Sequence, residues 1–272
     1  MNIPTINKKQ IESLLKQDKR LDNRKPFDYR DIEIETGISN NAEGSARVRI
    51  GKTEVIAGVK MGVQEPYPDH DDEGTMMTTM EYSPASGSRY EAGPPRINAI
   101  ETARVVDRGL RESGFIDFKK LCIKEGEKVW SVMVDIYSIN DDGNILDAAS
   151  LASVIALRTA KMPVYDEKAE RVKFGEFTKD SIPLTENIPF SMTLHKIGDK
   201  IVADPNRDEE DSAESRLTIG ISKSGKEHMI NSMQKGEIIS LTGEDLKIIV
   251  EQAEKVYDKV FPDIDKKTKA LM

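Results

Sequence analysis

The sequence predicts an α+β chain of two related halves, each a mixed β-sheet with packed helices. Three observations predict it. Segments with apolar residues at every second position alternate with segments of helical period, in the order strands, helix, strands, helix, strands, helix. A charged, proline-punctuated stretch over 161–189 separates the two runs. The chain is long enough for two such units, since 272 residues at about 150 per unit gives about two. We divide it into an N-terminal helix and linker (1–28), a first half (29–163) and a second half with a C-terminal helix (164–272).

Taken in order, residues 6–19 read as an amphipathic helix with Ile11, Leu14 and Leu15 on one side. Arg20-Leu21-Asp22-Asn23-Arg24-Lys25-Pro26 is polar and reads as a linker. Ile32 and Ile34 alternate with glutamates as a half-buried strand. Ala46, Val48 and Ile50 alternate with Arg47 and Arg49; Gly51-Lys52 turns the chain, and Thr53–Val63 completes a hairpin. Pro66–Glu73 is an acidic loop, Thr75–Tyr82 a strand, and Pro84–Arg96 a long loop with three prolines.

Residues 97–113 form the clearest helix, because Ala99, Ala103, Val106 and Leu110 share one face. Lys119–Glu125 and Val129–Ile139 are strands. The second is apolar on both faces and belongs in the centre of a sheet. After the Asp141–Asn144 turn, 146–161 is a helix of small residues, suited to close packing. Strands return near 190–195, 200–203, 216–222 and 228–233. Thr242–Phe261 is the last helix, opened by a capping-box pattern at Thr242-Gly243-Glu244-Asp245.

The net charge of −8 excludes a generally basic nucleic-acid coat but not a local basic stripe. A single cysteine, Cys122, excludes an intrachain disulfide and a cysteine-built zinc site. Met1–Gln10 has no apolar core, so no signal peptide is expected there. No run approaches the ~20 apolar residues of a membrane span. We expect a cytoplasmic protein with no membrane contact and no cofactor. Phosphate-cradling glycine motifs are missing from the sequence.

Two constellations could carry chemistry. Asp204-Pro205-Asn206-Arg207-Asp208-Glu209-Glu210-Asp211 could hold a divalent cation or act as acid and base; a charged turn is the bland alternative. Arg104, Arg108 and Arg111 fall within about 60° of one another on the helix at 97–113, away from its apolar face. Three guanidiniums in a stripe suit a run of phosphates. Internal salt bridges are the alternative, since Glu101 and Asp107 lie three residues from Arg104, and Glu112 four from Arg108.

Arg20–Arg24 and Gly44–Lys60 resemble the RNase PH family of 3′-to-5′ phosphorolytic exoribonucleases. Glu91–Pro95, Asn98–Glu101, Ala103–Arg108 and Asp142–Ala152 look like one branch of it, the non-catalytic RNase PH-like subunits of the archaeal exosome. The similarity covers about residues 20–260. Asn23 departs from it, standing where the family's Arg-x-Asp-Gly-Arg signature has glycine. The resemblance implies the RNase PH-like fold (ribosomal protein S5 domain 2-like). It implies a hexameric ring of three heterodimers in which this chain alternates with a catalytic RNase PH-like partner. It also implies RNA-binding cap subunits on one face and single-stranded RNA threaded through the channel.

The branch bears on catalysis. Active members carry Gly-Thr/Ser-Arg, whose arginine and hydroxyl hold the attacking phosphate; the matching positions are Gly143, Asn144 and Ile145, a lost phosphate site. They also carry an Asp and a second Asp six residues on, matched by Asp204 and Glu210, which read as remnants with no catalytic role. The resemblance places the helix at 97–113 beside the partner's active site, making Arg104 and Arg108 the expected RNA-binding residues, with Arg111 and Arg96 as weaker ones. The competing readings are an autonomous metal-dependent nuclease using Asp204, Asp208, Glu210 and Asp211, and a purely structural ring spacer.

Overall fold

The computed structural model describes residues 5–271. Met1–Pro4, part of the segment where no signal peptide is expected, lie outside the described residues. The first helix, α1 (Thr5–Leu15), is shorter than its pattern suggested. Its Ile11 and Leu15 form a small separate core with Ile197 and Val202.

The first half is a six-stranded sheet. β1 (Ile32–Thr36), β2 (Gly44–Ile50) and β3 (Thr53–Gln64) run antiparallel, as the alternation requires. β4 (Thr75–Tyr82) is followed by a short 3₁₀ turn and by α2 (Ile97–Glu112). The strand expected over 119–125 is mostly a 3₁₀ turn, leaving β5 with only Cys122–Lys124. β6 (Lys128–Asn140) lies between β3 and β4, antiparallel to the first and parallel to the second, giving the order β1-β2-β3-β6-β4. The placement agrees with its two-sided apolar pattern. Trp130, Val132, Val134 and Ile136 are buried, while Tyr137 on the opposite face is largely exposed.

The helix α3 (Ile145–Thr159) is buried along nearly its whole length. It packs on β2 and β3 on one side and on the second sheet on the other. Small side chains allow this, and so does Gly44. A Cβ at position 44 would stand 2.3 Å from the Ala156 carbonyl oxygen, so only glycine lets β2 approach the helix so closely.

Residues 161–189, expected to be a boundary segment, contain the hairpin β7 (Lys161–Asp166) and β8 (Arg171–Ser181). The second sheet follows, with β9 (Phe190–Ile197), β10 (Lys200–Ala203), β11 (Ser215–Ser224) and β12 (Glu227–Gly236) in the order β10-β9-β11-β12. Between β10 and β11 lies α4 (Arg207–Ser212), a six-residue helix with a capping box made by Asn206 and Glu209. The last helix, α5 (Gly243–Leu271), runs through Pro262 and ends ten residues beyond the expected Phe261. Burial of Ile264 and Thr268 accounts for the extension. One apolar core joins both sheets through α3 and α5.

Candidate nucleic-acid interface

Two charged regions flank α3, and they are built in opposite ways. The first surrounds Asp204, at the end of β10. Its carboxylate is fully buried and accepts hydrogen bonds from the Arg30 backbone N–H at 2.8 Å, from Arg30 Nε at 2.9 Å and Nη2 at 2.7 Å, and from Arg24 Nη1 at 2.9 Å. Asn144 Nδ2 donates to the same carboxylate at 2.7 Å. Burial alone would push the Asp204 carboxyl up. The Arg30 hydrogen bonds and charge, with those of Arg24, hold it below the usual carboxylate range instead.

Arg30 also donates to the carbonyls of Asp142, Gly143 and Pro205. It thereby ties the Asp142–Gly143 turn to the second half. Gly143 adopts φ +85°, and a Cβ there would meet the Asn206 backbone at 2.6 Å, so this crossing admits only glycine.

The stretch 20–26, read as a linker, is part of this cluster. Arg20 is buried, forms a bidentate pair with Glu209 at 2.9 and 2.5 Å, and donates to the carbonyls of Ala203 and Asp204. Asn23, at the signature's glycine position, takes φ +65°, a conformation asparagine tolerates better than most residues. The signature here is scaffold that clamps both halves.

Glu210 is placed by α4. Its Oε2 accepts from the Asn144 backbone N–H at 3.1 Å and lies 3.4 Å from Arg207 Nη1. Burial pushes its carboxyl up, and Arg207 only partly offsets this. Asn144 is the N-cap of α3, where the helix dipole and free N–H groups favour an anion. The Glu210 carboxylate occupies that seat. Arg207 also pairs with Asp141 and Asp211, and Arg89 pairs with Asp211. Ile145 is turned into the core at 5% exposure. The cluster therefore balances its own charge. Asp204, Asp208, Glu210 and Asp211 do not converge, and among the described residues no group of three or more His, Cys, Asp or Glu could hold a metal ion.

One turn into α3, Asp147 is buried and accepts from Tyr29 Oη at 2.7 Å, Thr193 Oγ1 at 2.7 Å and the Thr193 N–H at 3.1 Å. Burial dominates, and its carboxyl is pushed up to about 6.

The second region is the outer face of α2. Arg104 is exposed, and neither carboxylate expected to neutralise it does so. Glu101 turns to Arg216 at 2.5 Å and Gln234 at 3.3 Å. Asp107 turns to Arg111 and Thr78. Arg104 has no ion pair among the described residues. Arg108 pairs with Glu112 at 2.9 Å, yet its side chain stays 62% exposed. Arg111 is more committed, to Asp107, to the Met76 carbonyl and to the face of Phe118. Arg96 is exposed at the N-cap of α2 and pairs with Glu91. Sequence reasoning thus found the open stripe but missed Arg20, Arg24, Arg30 and Arg207, the cations that neutralise the acidic run. The asparagine-to-glutamate spacing at 206–209 was the one local sign of α4 that could have been read.

Comparison with known proteins matches two family models, the 3′ exoribonuclease family domain 1 over residues 28–163 and domain 2 over residues 187–256. The chain belongs to the RNase PH family of 3′ exoribonucleases. It is 44% identical over 252 residues to the exosome complex component Rrp42 of Methanosarcina mazei, covering 92% of this chain and 90% of that one. It is 42% identical over 258 residues to Rrp42 of Thermococcus gammatolerans, covering 94% and 92%. Among solved structures, a chain of the Archaeoglobus fulgidus exosome with RNA bound to the active site superposes with a TM-score of 0.83 at 38% identity, covering 93% of this chain and 97% of that one. A chain of an archaeal exosome core gives 0.82 at 35% identity, covering 96% of each. The RNase PH-like fold expected from the sequence is the fold found.

Proposed function

We propose that this chain is the non-catalytic RNase PH-like subunit of an archaeal exosome ring, holding single-stranded RNA beside the active site of a catalytic partner. One contrast carries the reading. Every arginine lining the Asp204 cluster is matched by a carboxylate of the same cluster, with Glu210 on the helix N-terminus that a phosphate would need. Arg104 and Arg108, by contrast, face outward, and Arg104 is unmatched. The matched cluster cannot compensate an incoming phosphate, and charge-assisted hydrogen bonds of that kind are what an anionic co-substrate needs. Assembly as three heterodimers, cap subunits on one face and a cytoplasmic location complete the proposal. It is supported by the Rrp42 relatives and by the likeness to archaeal exosome chains.

The test uses the chain alone and assembled with a catalytic RNase PH-like subunit. The chain alone should release no nucleoside diphosphates from RNA with or without phosphate, and the assembly should do so. In the assembly, replacing Arg104 and Arg108 by glutamine should remove about 1.4 from the slope of log affinity against log salt, about 0.7 for each phosphate no longer neutralised. Phosphorolysis by the isolated chain would overturn the non-catalytic reading. An unchanged slope would leave a spacer subunit.

A further inference from the structure

Two acids lie three residues from Arg104, and each is held by a different part of the chain. Asp107 is held within the first half, by Arg111 of α2 and Thr78 of β4. Glu101 is held from the second half. Arg216 Nη2, on β11, donates to Glu101 Oε1 at 2.5 Å, and Gln234 Nε2, on β12, donates to the same oxygen at 3.3 Å.

The seat of Arg216 suits this reach. Its register partner on β12 is Gly236, where a Cβ would stand 2.3 Å from Arg216 Nε and 2.7 Å from Cζ. The guanidinium therefore lies across a position that only glycine leaves open. The Arg216 side chain is 12% exposed and that of Glu101 34%. A pair sheltered in this way between a helix and a sheet is screened less by salt than one on an open helix surface.

Residues three apart on a helix are neighbours on its surface, and a glutamate on the N-terminal side of an arginine forms an ion pair readily. Released from Arg216, Glu101 has Arg104 within reach one turn away. Its carboxylate would then neutralise that guanidinium and repel a phosphate brought to it. We infer that Arg216 is a positioning residue for RNA binding: by holding Glu101 against the second sheet, it keeps Arg104 free for the RNA backbone. The inference rests on the RNA-gripping reading of Arg104, and adds to it a residue of the second half that acts through Glu101 alone.

The assembled ring is titrated with oligouridylate at several salt concentrations. Arg216→Met keeps an unbranched side chain and removes its charge and donors. It should weaken binding about fivefold at low salt and lower the slope of log affinity against log salt by up to about 0.7, the share of one phosphate. Adding Glu101→Gln to Arg216→Met should restore both, because the freed carboxylate is what intrudes. In an Arg104→Gln ring, Arg216→Met should change neither. Gly236→Ala, which removes no charge but displaces the guanidinium, should reproduce part of the loss. A loss of equal size with and without Arg104, or one that Glu101→Gln does not restore, would overturn the positioning role and mark Arg216 as structural. No loss in Arg216→Met, while Arg104→Gln still lowers the slope, would overturn it as well and leave the grip standing. If Arg104→Gln leaves the slope unchanged, the grip itself fails and the positioning role with it.

Discussion

The Asp204 cluster and the outer face of α2 are both rich in arginine, and they teach opposite lessons about what charge does. Around Asp204, the arginines of residues 20–30 meet carboxylates at 2.5–2.9 Å inside the protein and join distant parts of the chain, with Arg207 of α4 paired beside them. On α2 the arginines are neighbours along one helix; Arg108 and Arg111 pair with Glu112 and Asp107 of that helix, while the acids beside Arg104 are drawn elsewhere. Arg216 takes Glu101, Arg111 takes Asp107, and Arg104 is left without a carboxylate partner among the described residues. Burial with a matching partner turns a charge into scaffold. Exposure without one leaves it available to a ligand.

The contrast is tested most severely at Asp204. Replacing it by alanine leaves Arg30 and Arg24 buried without their shared anion. Removing one partner of a buried pair costs about 3–5 kcal/mol. Denaturant unfolding of Asp204→Ala should show a loss of that size, whereas a change under about 1 kcal/mol would mean that the cluster is not a clamp.

The next largest effect concerns Asp147, whose carboxyl burial raises from the ordinary 3.8 to about 6. A carboxyl raised on folding stabilises below its unfolded pKa, and that contribution is lost as the pH rises through the folded one. Asp147 should therefore cost stability between about pH 4 and 6, by an amount on the order of 3 kcal/mol. Asp204 acts in the opposite sense, because its carboxyl is lowered. Its contribution is present above the ordinary carboxylate range and lost as the pH falls. Unfolding midpoints from pH 4 to 7 should rise less steeply in wild type than in Asp147→Asn, since the variant removes the opposing slope. Parallel profiles would show that Asp147 does not titrate in this range.

The smallest effect sharpens the contrast within α2 itself. Arg104→Gln should lower the salt slope of RNA binding by about 0.7 and leave the melting temperature unchanged. Arg111→Gln should do the reverse, because its guanidinium is engaged by Asp107, Met76 and Phe118. Similar slopes for both variants would mean that ion pairing within the helix does not sort its arginines.

Much of the fold could be read from local pattern. β2, β3, β4, α2, β6 and α3 fall within a residue or two of the segments whose periodicity announced them, because each buries one face or both. The β7–β8 hairpin was not legible. Along β8 no alternate face is buried, and Phe174 and Phe177 point outward, so no period of two marks it. The end of α5 was hidden by Pro262, whose local tendency to break a helix is overridden by the packing of residues beyond it. The site divided along the same line. The arginine stripe lies on one helix and was visible from spacing alone. The Asp204 clamp joins residues more than 170 positions apart, and nothing local in Arg20, Arg24 or Arg30 says which carboxylate each will find.

The Glu210 carboxylate on the Asn144 N–H also bears on the evolutionary freedom of the chain. An arginine introduced at position 145 would displace a core side chain, and the anion seat at the head of α3 would still be taken. Vacating that seat by changing Glu210 alone would leave Arg207 paired with Asp141 and Asp211 and still supply no phosphate ligand. Neither substitution alone supplies a phosphate site, and they lie 65 positions apart in the sequence. A phosphate seat at the head of α3 would therefore take two separate changes, one on α3 and one on α4.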